Sequence, residues 1–307
     1  MNRFPIDARP VALREGETVG PLLELLRRAL AVPDGLHPGE AERRRFLFER
    51  DADRIPGARL WTDDDGHAYG LAWVSTFLRS AWIVTDPAYP EAEGPVALWT
   101  ARRIRRATAS GTRAGVLVPA GVRDGGRERA LGAAGFAPTR MASILLSLSC
   151  ENAAVDPSEH PSGYSVHSLL APEELQERAD AESRLFPDQP VRAERYCAMM
   201  RRGSLYRRDL DLIAMGPDGR IAAFGLFQHD PATRIARAGP VGCLAGNRRL
   251  GVASGLVREG VRRLRRLGCL SVRAEVPASI RPDACVPFSF WRSLGFRPVG
   301  RRRYWSL

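Results

Sequence analysis

The alternation of apolar and polar residues predicts a regular succession of strands and helices in the second half of the chain. Residues 253–267 show helical periodicity, because Leu256, Val257, Val261 and Leu264 fall on one face. Two apolar runs flank the turn sequence GPDG at 216–219, which predicts a hairpin. Continuing in this way, we predict strands at 164–168, 210–215, 221–228, 235–243 and 270–276, helices at 172–185, 191–201, 253–267 and 286–294, and a terminal strand pair that ends at 305.

The first half of the chain shows the same succession. It predicts a strand near residue 11, a helix over 18–30, a hairpin around 65–66, a helix from 96 and a strand over 114–118. Each half then has the order β-α-α-β-β-β-α-β-α-β-β. This mixture of elements predicts an α/β (α+β) fold.

Short sequences recur between the halves. Residues 102–106 (RRIRR) return as 262–266 (RRLRR), and 134–138 (AGFAP) returns as 294–298 (LGFRP), both at an offset of 160. Landmarks in the same order at the same offset indicate a tandem duplication. We therefore predict a first domain over 1–149, a polar, proline-containing linker over 150–163 and a second domain over 164–307.

The formal net charge of +11 is less informative than its distribution. All 46 basic residues are arginine, which suggests a genome-driven composition, so nucleic acid is not favoured as a partner. From residue 245 onward there are 14 arginines against Glu259, Glu275 and Asp283. Any polyanionic ligand should therefore meet the C-terminal fifth of the chain.

Cysteine and histidine usage favours a reducing compartment without a metal site. The cysteine count is odd and includes no C-x-x-C pair, and the five histidines lack ligand spacing. The first ten residues have no apolar core of a signal peptide, and no apolar run approaches the ~20 residues of a membrane span. We expect a cytoplasmic protein with no membrane partner; the sequence leaves its oligomeric state open, a homodimer included.

The segment 248–253 (RRLGVA) stands between a predicted strand and a predicted helix. The first N–H groups of a helix have no intrahelical partner and carry the positive end of the helix dipole. Gly251 lets an anion approach the backbone closely, and Arg248 and Arg249 add positive charge. The string R-x-x-G-x-[GA] arises about once by chance in this composition, so its context carries the prediction.

In that context the second half resembles the GNAT superfamily of N-acetyltransferases. The resemblance rests on the R-x-x-G-x-A loop, the strand after the helix, and an aromatic-x-x-x-Gly-Phe element formed by Trp291, Gly295 and Phe296. The first half is similar more faintly, as in tandem GNAT proteins of the mycothiol synthase type. The resemblance implies two GNAT folds, each a mixed, mostly antiparallel sheet flanked by helices.

It also implies acetyl-CoA, or another acyl-CoA, as co-substrate, and no metal. The loop would hold the pyrophosphate and the preceding strand the pantetheine arm. The residues implied are Val241, Gly242, Cys243, Arg248, Arg249, Leu250, Gly251, Val252, Ala253 and Ser254. At the 160 offset the first half has Glu91 and Glu93 in place of Gly251 and Ala253, so we expect a degenerate first copy and one CoA per chain.

Acyl transfer to an amine needs a base for the amine and an acid for the leaving thiolate. Many GNAT enzymes use a tyrosine as the acid, and Trp291 stands at that position here. Tyr304 is then the candidate acid, and Glu275 and His229 are candidate bases, although a purely structural role is open for each. Cys243 as a nucleophile is less favoured than Cys243 as a small buried residue.

The function predicted from these features is transfer of an acyl group from acetyl-CoA to an amine, less readily a hydroxyl, of a small metabolite or antibiotic. Two alternatives stay open. One is a catalytically silent acyl-CoA sensor, which the loss of the tyrosine would suit. The other is a nucleic-acid-associated acetyltransferase that uses the arginine-rich C-terminus, whose binding would weaken steeply with salt.

Overall fold

The computed structural model describes residues 19–30, 37–48, 58–75, 79–109, 117–121, 125–151, 153, 160–169, 172–278 and 288–307. The strand predicted near residue 11, half of the predicted linker and most of the predicted 114–118 strand lie outside these ranges. Within the described ranges, no helix combines the length and the apolarity that crossing a bilayer requires.

The helices are α1 (Val19–Ala29), α2 (Pro38–Phe48), α3 (Glu93–Ala109), α4 (Gly125–Ala133), α5 (Pro172–Leu185), α6 (Ala193–Arg202), α7 (Val252–Arg266) and α8 (Phe288–Ser293). The strands are β1 (Ala58–Thr62), β2 (Ala68–Ser75), β3 (Ser80–Thr85), β4 (Val118–Gly121), β5 (Ala137–Ser149), β6 (Ser165–Ser168), β7 (Asp211–Met215), β8 (Ile221–Asp230), β9 (Ile235–Cys243), β10 (Ser271–Pro277) and β11 (Arg297–Ser306).

The predicted terminal strand pair is wrong in detail, because each half ends in one long strand. Residues 297–306 form β11 without a break, and 137–149 form β5. No Asn-Gly or Asp-Gly pair interrupts either segment, so Gly300 alone does not turn the chain. The elements of the second half otherwise fall within two residues of their predicted bounds.

The chain folds as two compact units that do not follow the sequence order. Unit 1 comprises Met1–Pro38, Glu49–Ser143 and Gly300–Leu307, and unit 2 comprises Gly39–Phe48 and Ile144–Val299. Helix α2, from the first half of the sequence, thus belongs to unit 2. The last eight residues, from the second half, belong to unit 1.

Unit 1 contains the antiparallel sheet β1-β2-β3, and β4 pairs there with Arg302–Trp305 of β11. Helix α3 buries Val96, Ala97, Ala101 and Ile104 in an apolar cluster with residues of β2, β3 and β4. The helical spacing of these four residues explains why this segment forms an amphipathic helix.

Unit 2 contains the strand order β5-β10-β9-β8-β7-β6. The pairs β6–β7, β7–β8 and β8–β9 are antiparallel, whereas β9 and β10 are parallel. Helix α7 covers one face of this sheet and buries Leu256, Val257, Val261 and Leu264 in its main apolar cluster. Helix α5 packs on the opposite face, where Leu185 lies beside Gly242. A mixed sheet flanked by helices is the predicted fold class, and that prediction is confirmed.

Candidate acyl-donor site

The site begins where two parallel strands of unit 2 separate. The register of β9 with β10 pairs Ile235 with Ser271 and Arg237 with Arg273, and it ends there. Both strands continue, β9 to Cys243 and β10 to Pro277, and β9 stays paired with β8 on its other side up to Cys243. Beyond Arg237, no strand of the described residues is in register with β9 on its β10 side, so an extended ligand could pair with the β9 backbone there.

The chain after β9 makes a tight, exposed turn before α7. A short 3-10 helix spans Ala245–Asn247, and Arg249 and Gly251 then adopt positive φ angles of 65° and 84°. Arg248, Arg249 and Gly251 are exposed, and Leu250 is half exposed. Left-handed backbone is ordinary for glycine but costs about 1 kcal/mol or more for arginine. The turn therefore carries backbone strain at Arg249.

Helix α7 starts without a side-chain cap. Gly251 is its N-cap residue, and a glycine has no side-chain atom that could accept a hydrogen bond from the first turn. Its first turn contains no acidic residue. The first-turn N–H groups, which lack an intrahelical acceptor, and the helix dipole therefore give positive potential at Gly251, and Arg248 and Arg249 lie on the same exposed turn. These residues suit a pyrophosphate.

Two residues that the sequence analysis did not single out hold this turn in place. The Tyr164 hydroxyl donates to Asn247 Oδ1 at 2.8 Å, and the Arg248 Nε donates to the Cys243 carbonyl at 3.1 Å. Tyr164 precedes β6, far from the turn in sequence. A lone tyrosine or asparagine gives no periodic signal, so nothing short of the fold reveals this contact.

The strand residues predicted to contact the donor are placed for backbone rather than side-chain contacts. Val241 is buried in the main apolar cluster. A Cβ at Gly242 would lie 2.5 Å from Phe224 Cζ and 2.6 Å from Leu185 Cδ1, so packing alone requires glycine there. In the first turn of α7, Val252 is buried and Ala253 and Ser254 are half-buried.

The Cys243 thiol is half-buried at the end of β9. Its Sγ lies 3.3 Å from the Asn247 carbonyl oxygen, to which it can donate. Burial raises the pKa of Cys243 to about 11, and the nearby Arg248 lowers it by less. The thiol is thus protonated at neutral pH, which argues against the nucleophilic role.

The three predicted catalytic residues lie in different surroundings. Glu275 is two residues beyond Arg273 on β10, past the end of the pairing with β9. The buried Val272, Ala274 and Val276 alternate with it, so it lies on the sheet face opposite α7. His229, near the end of β8, is buried, and its Nε2 makes no hydrogen bond within the described residues. Burial, and secondarily Arg207, lowers the pKa of His229.

Tyr304 belongs to unit 1, whereas Glu275 and His229 belong to unit 2. It pairs with Pro119 of β4, and its hydroxyl lies 3.5 Å from the Ser143 hydroxyl. Trp291, at the position of the usual acid, is 4% exposed and packs edge-to-face on Phe296 with ring centroids 4.7 Å apart. It is a core residue that contributes no ionisable group.

A cavity of about 980 Å³ lies in another part of unit 2. Its lining includes Arg258, Arg292, Arg297 and Phe296, and none of the predicted donor-binding residues. The residues predicted to bind the donor lie instead along β9, where it separates from β10, and on the turn that follows. Metal sites are a separate question: the part of the chain that the structure describes contains no group of three side chains able to hold a metal ion.

The matching strand-to-helix junction in unit 1 is filled by the protein itself. Glu93 begins α3 and is buried, and its carboxylate accepts from Arg127 Nε and Nη2, each at 2.6 Å. Arg127 also donates to the Ile83 carbonyl at 2.9 Å and to Thr85 Oγ1 at 2.8 Å. Of the two glutamates that replace Gly251 and Ala253, Glu93 is therefore paired inside the protein, whereas Glu91 is exposed.

Solved structures with this fold cover almost the whole chain. A GCN5-related N-acetyltransferase from Sphaerobacter thermophilus matches with a TM-score of 0.65 at 20% identity, over 99% of this chain and 96% of that one. A tandem GNAT protein from the clavulanic acid biosynthesis pathway matches with a TM-score of 0.65 at 18% identity, over 98% of each chain. No family model matches the sequence, and no curated protein does.

The fold is that of the GNAT N-acetyltransferases. Within that class the chain has the tandem arrangement, since a tandem GNAT protein matches it from end to end. The resemblance identified from the sequence is confirmed.

Proposed function

We propose that the protein is an acyltransferase that binds acetyl-CoA in unit 2 and transfers the acetyl group to an amine of a small molecule. The observation that carries this proposal is the separation of β9 from β10 directly before an uncapped, positively charged start of α7. The open edge of β9 and the start of α7 follow one another along the chain. A ligand with an extended arm and a pyrophosphate end requires this order.

In this proposal the turn from Arg248 to Ser254 holds the pyrophosphate through backbone N–H groups and the two arginines. The backbone of Val241, Gly242 and Cys243 binds the pantetheine arm. Only main-chain atoms are needed from these three residues, which agrees with their side chains being packed or half-buried.

We propose Glu275 as the base that takes the proton from the attacking amine. Glu275 lies two residues past the last β10 residue that pairs with β9, at the start of the gap between the strands. The neutral imidazole of His229 is the second candidate base. Cys243 is not needed as a nucleophile.

A sensor that binds acyl-CoA without transferring its acyl group is the second candidate, because Trp291 is buried and cannot replace a tyrosine acid. The two functions differ in turnover. An enzyme releases free CoA when acetyl-CoA is mixed with a panel of small primary amines, aminoglycosides and hydroxyl compounds. A sensor binds acetyl-CoA and releases no CoA above the uncatalysed rate with any of them.

The Glu275→Gln variant tests the chemistry within this proposal. General-base catalysis contributes about 10²–10⁴-fold to a rate. We therefore expect kcat with the best amine of the panel to fall about 100-fold or more, while the acetyl-CoA dissociation constant stays within threefold. A kcat within threefold of the parent would remove Glu275 from the reaction.

A further inference from the structure

Helix α2 comes from the first half of the sequence but is anchored in unit 2 through polar contacts. Gln228 of β8 donates its side-chain amide to the Gly39 carbonyl. Glu42 accepts hydrogen bonds from the Ser204 backbone N–H at 2.6 Å and the Leu205 N–H at 3.0 Å, just after α6. These contacts fix α2 along the sheet face that α7 leaves uncovered.

The first turn of α2 places a buried carboxylate at the point where β9 and β10 separate. Glu40 is 5% exposed, and its Oε2 lies 3.1 Å from Nη1 of Arg237. The same Nη1 donates to the Gly239 carbonyl at 2.6 Å. Glu40, Arg237 and Gly239 thus form a continuous chain of contacts from α2 into the backbone of β9.

Gly239 is shaped to receive this guanidinium. Its φ angle is 147°, and a Cβ there would lie only 3.2 Å from Arg237 Nη1. The guanidinium therefore packs directly over a backbone position that only glycine accommodates without strain. Because Arg237 is the last β9 residue in register with β10, this contact lies at the point where β9 leaves its neighbour.

The reacting end of the donor should lie at this same point. The pantetheine arm has about twelve bonds, which at the ~1.2 Å per bond of an extended chain span ~14 Å. Four strand residues at ~3.3 Å each cover ~13 Å. An arm that starts beside Cys243 and follows β9 therefore brings its thioester close to Gly239.

We infer that Glu40 is a positioning residue for acyl transfer. It holds the Arg237 guanidinium against the Gly239 carbonyl and thereby fixes the backbone that binds the acetyl carbonyl. This inference rests on the proposed function. It explains how a helix from the first half of the chain serves a donor site in the second, and a displacement of 1 Å at such a site can cost about 100-fold in rate.

The test compares Glu40→Gln and Arg237→Lys with the matched control Glu42→Gln. Glu42→Gln also removes a carboxylate that anchors α2, but one that contacts the chain after α6 rather than β9. For each protein we would measure the melting temperature, the affinity for acetyl-CoA, and the carbon NMR resonance of acetyl-CoA labelled with ¹³C at the thioester carbonyl. Backbone donors that polarise this carbonyl shift its resonance from the free position.

The parent and Glu42→Gln should both shift the carbonyl resonance, whatever stability the control loses. Glu40→Gln and Arg237→Lys should bind acetyl-CoA within about threefold of the parent and lose most of the shift. A full shift in Glu40→Gln would overturn the inference. If Glu40→Gln does not fold, a full shift in Arg237→Lys, which keeps a cation for Glu40 but not the guanidinium fork, would overturn it equally.

These outcomes are distinct from failure of the proposed function. A parent protein that binds no acetyl-CoA contradicts the proposed function, and the inference about Glu40 falls with it. A parent that binds and polarises the thioester while all three variants do the same contradicts only the role of Glu40.

Discussion

The Cys243 thiol is the reactive group nearest in sequence to the donor-binding turn, and its surroundings determine its behaviour. Because burial raises its pKa to about 11, only about one thiol in 1,000 is ionised at pH 8. We expect Cys243→Ala to keep acyl transfer within a few-fold of the parent. Mass spectrometry of protein quenched during turnover should find no acetyl group on Cys243, and its detection there would restore the nucleophilic mechanism.

His229 should make the stability of the protein depend on pH. Burial lowers its native pKa below the unfolded value of about 6.5, so the unfolded chain binds a proton that the native chain does not. The free energy of unfolding should therefore fall as the pH drops below about 6.5, by up to ~1 kcal/mol from this residue between pH 6.5 and 5.5.

Urea unfolding of the parent and of His229→Gln at these two pH values measures that contribution. The variant should lose less stability on acidification than the parent does. Equal losses would show that His229 takes up its proton equally well in the folded and unfolded protein.

At the scale of elements, the helices and strands with the strongest hydrophobic periodicity were the ones whose bounds could be predicted from the sequence. The segments around the donor turn were predicted closely, with β9 at 235–243 and α7 shifted by one residue, because long periodic runs are bounded by a glycine. Helix α2 gave no comparable signal. Its charged residues Glu40 and Arg43 are buried as ion pairs with Arg237 and Glu182, so hydrophobic periodicity could not reveal which face of α2 is inside.

The ion pair at the start of α3 should stabilise unit 1. Removing one partner of a buried pair leaves the other charge uncompensated, which typically costs 3–5 kcal/mol. Arg127→Gln should therefore lower the free energy of unfolding by about 3 kcal/mol. Arg129→Gln, an exposed residue of the same helix, should change it by no more than about 0.5 kcal/mol. Similar losses in both variants would show that the Arg127–Glu93 pair contributes little.

On the scale of the whole molecule, the two units have different strand-to-helix junctions. In unit 2 the junction is an exposed, uncapped turn with two arginines. In unit 1 the corresponding junction holds the protein's own ion pair, in which Arg127 donates to the Glu93 carboxylate and to the Ile83 carbonyl. The 160-residue offset showed that Glu91 and Glu93 replace the small residues of the donor-binding turn. It could not show that Arg127 is the partner of Glu93, because Arg127 comes from a separate helix.

The composition of the units was equally beyond the sequence. Repeats and the polar linker predicted a division near residues 150–163, whereas α2 belongs to unit 2 and the last eight residues to unit 1. Exchange of elements between similar units depends on which packing is most favourable in three dimensions. When two units share one fold, no local sequence pattern shows which unit a given element will join.

The central claim, that the turn at Gly251 holds the pyrophosphate, is tested most directly by the thermal stabilisation that CoA gives to Gly251→Glu and Gly251→Ala. A Cβ at this position has its nearest neighbour 3.9 Å away, so only the φ angle of 84° resists substitution, and both variants should lose about 1–2 kcal/mol alike. CoA at 100 times its dissociation constant should stabilise the parent by ~2.7 kcal/mol. Gly251→Ala should keep a clear rise in melting temperature with CoA, whereas Gly251→Glu should show none, because a carboxylate would face the pyrophosphate. A full rise in Gly251→Glu would contradict the account, since the pyrophosphate would then lie elsewhere.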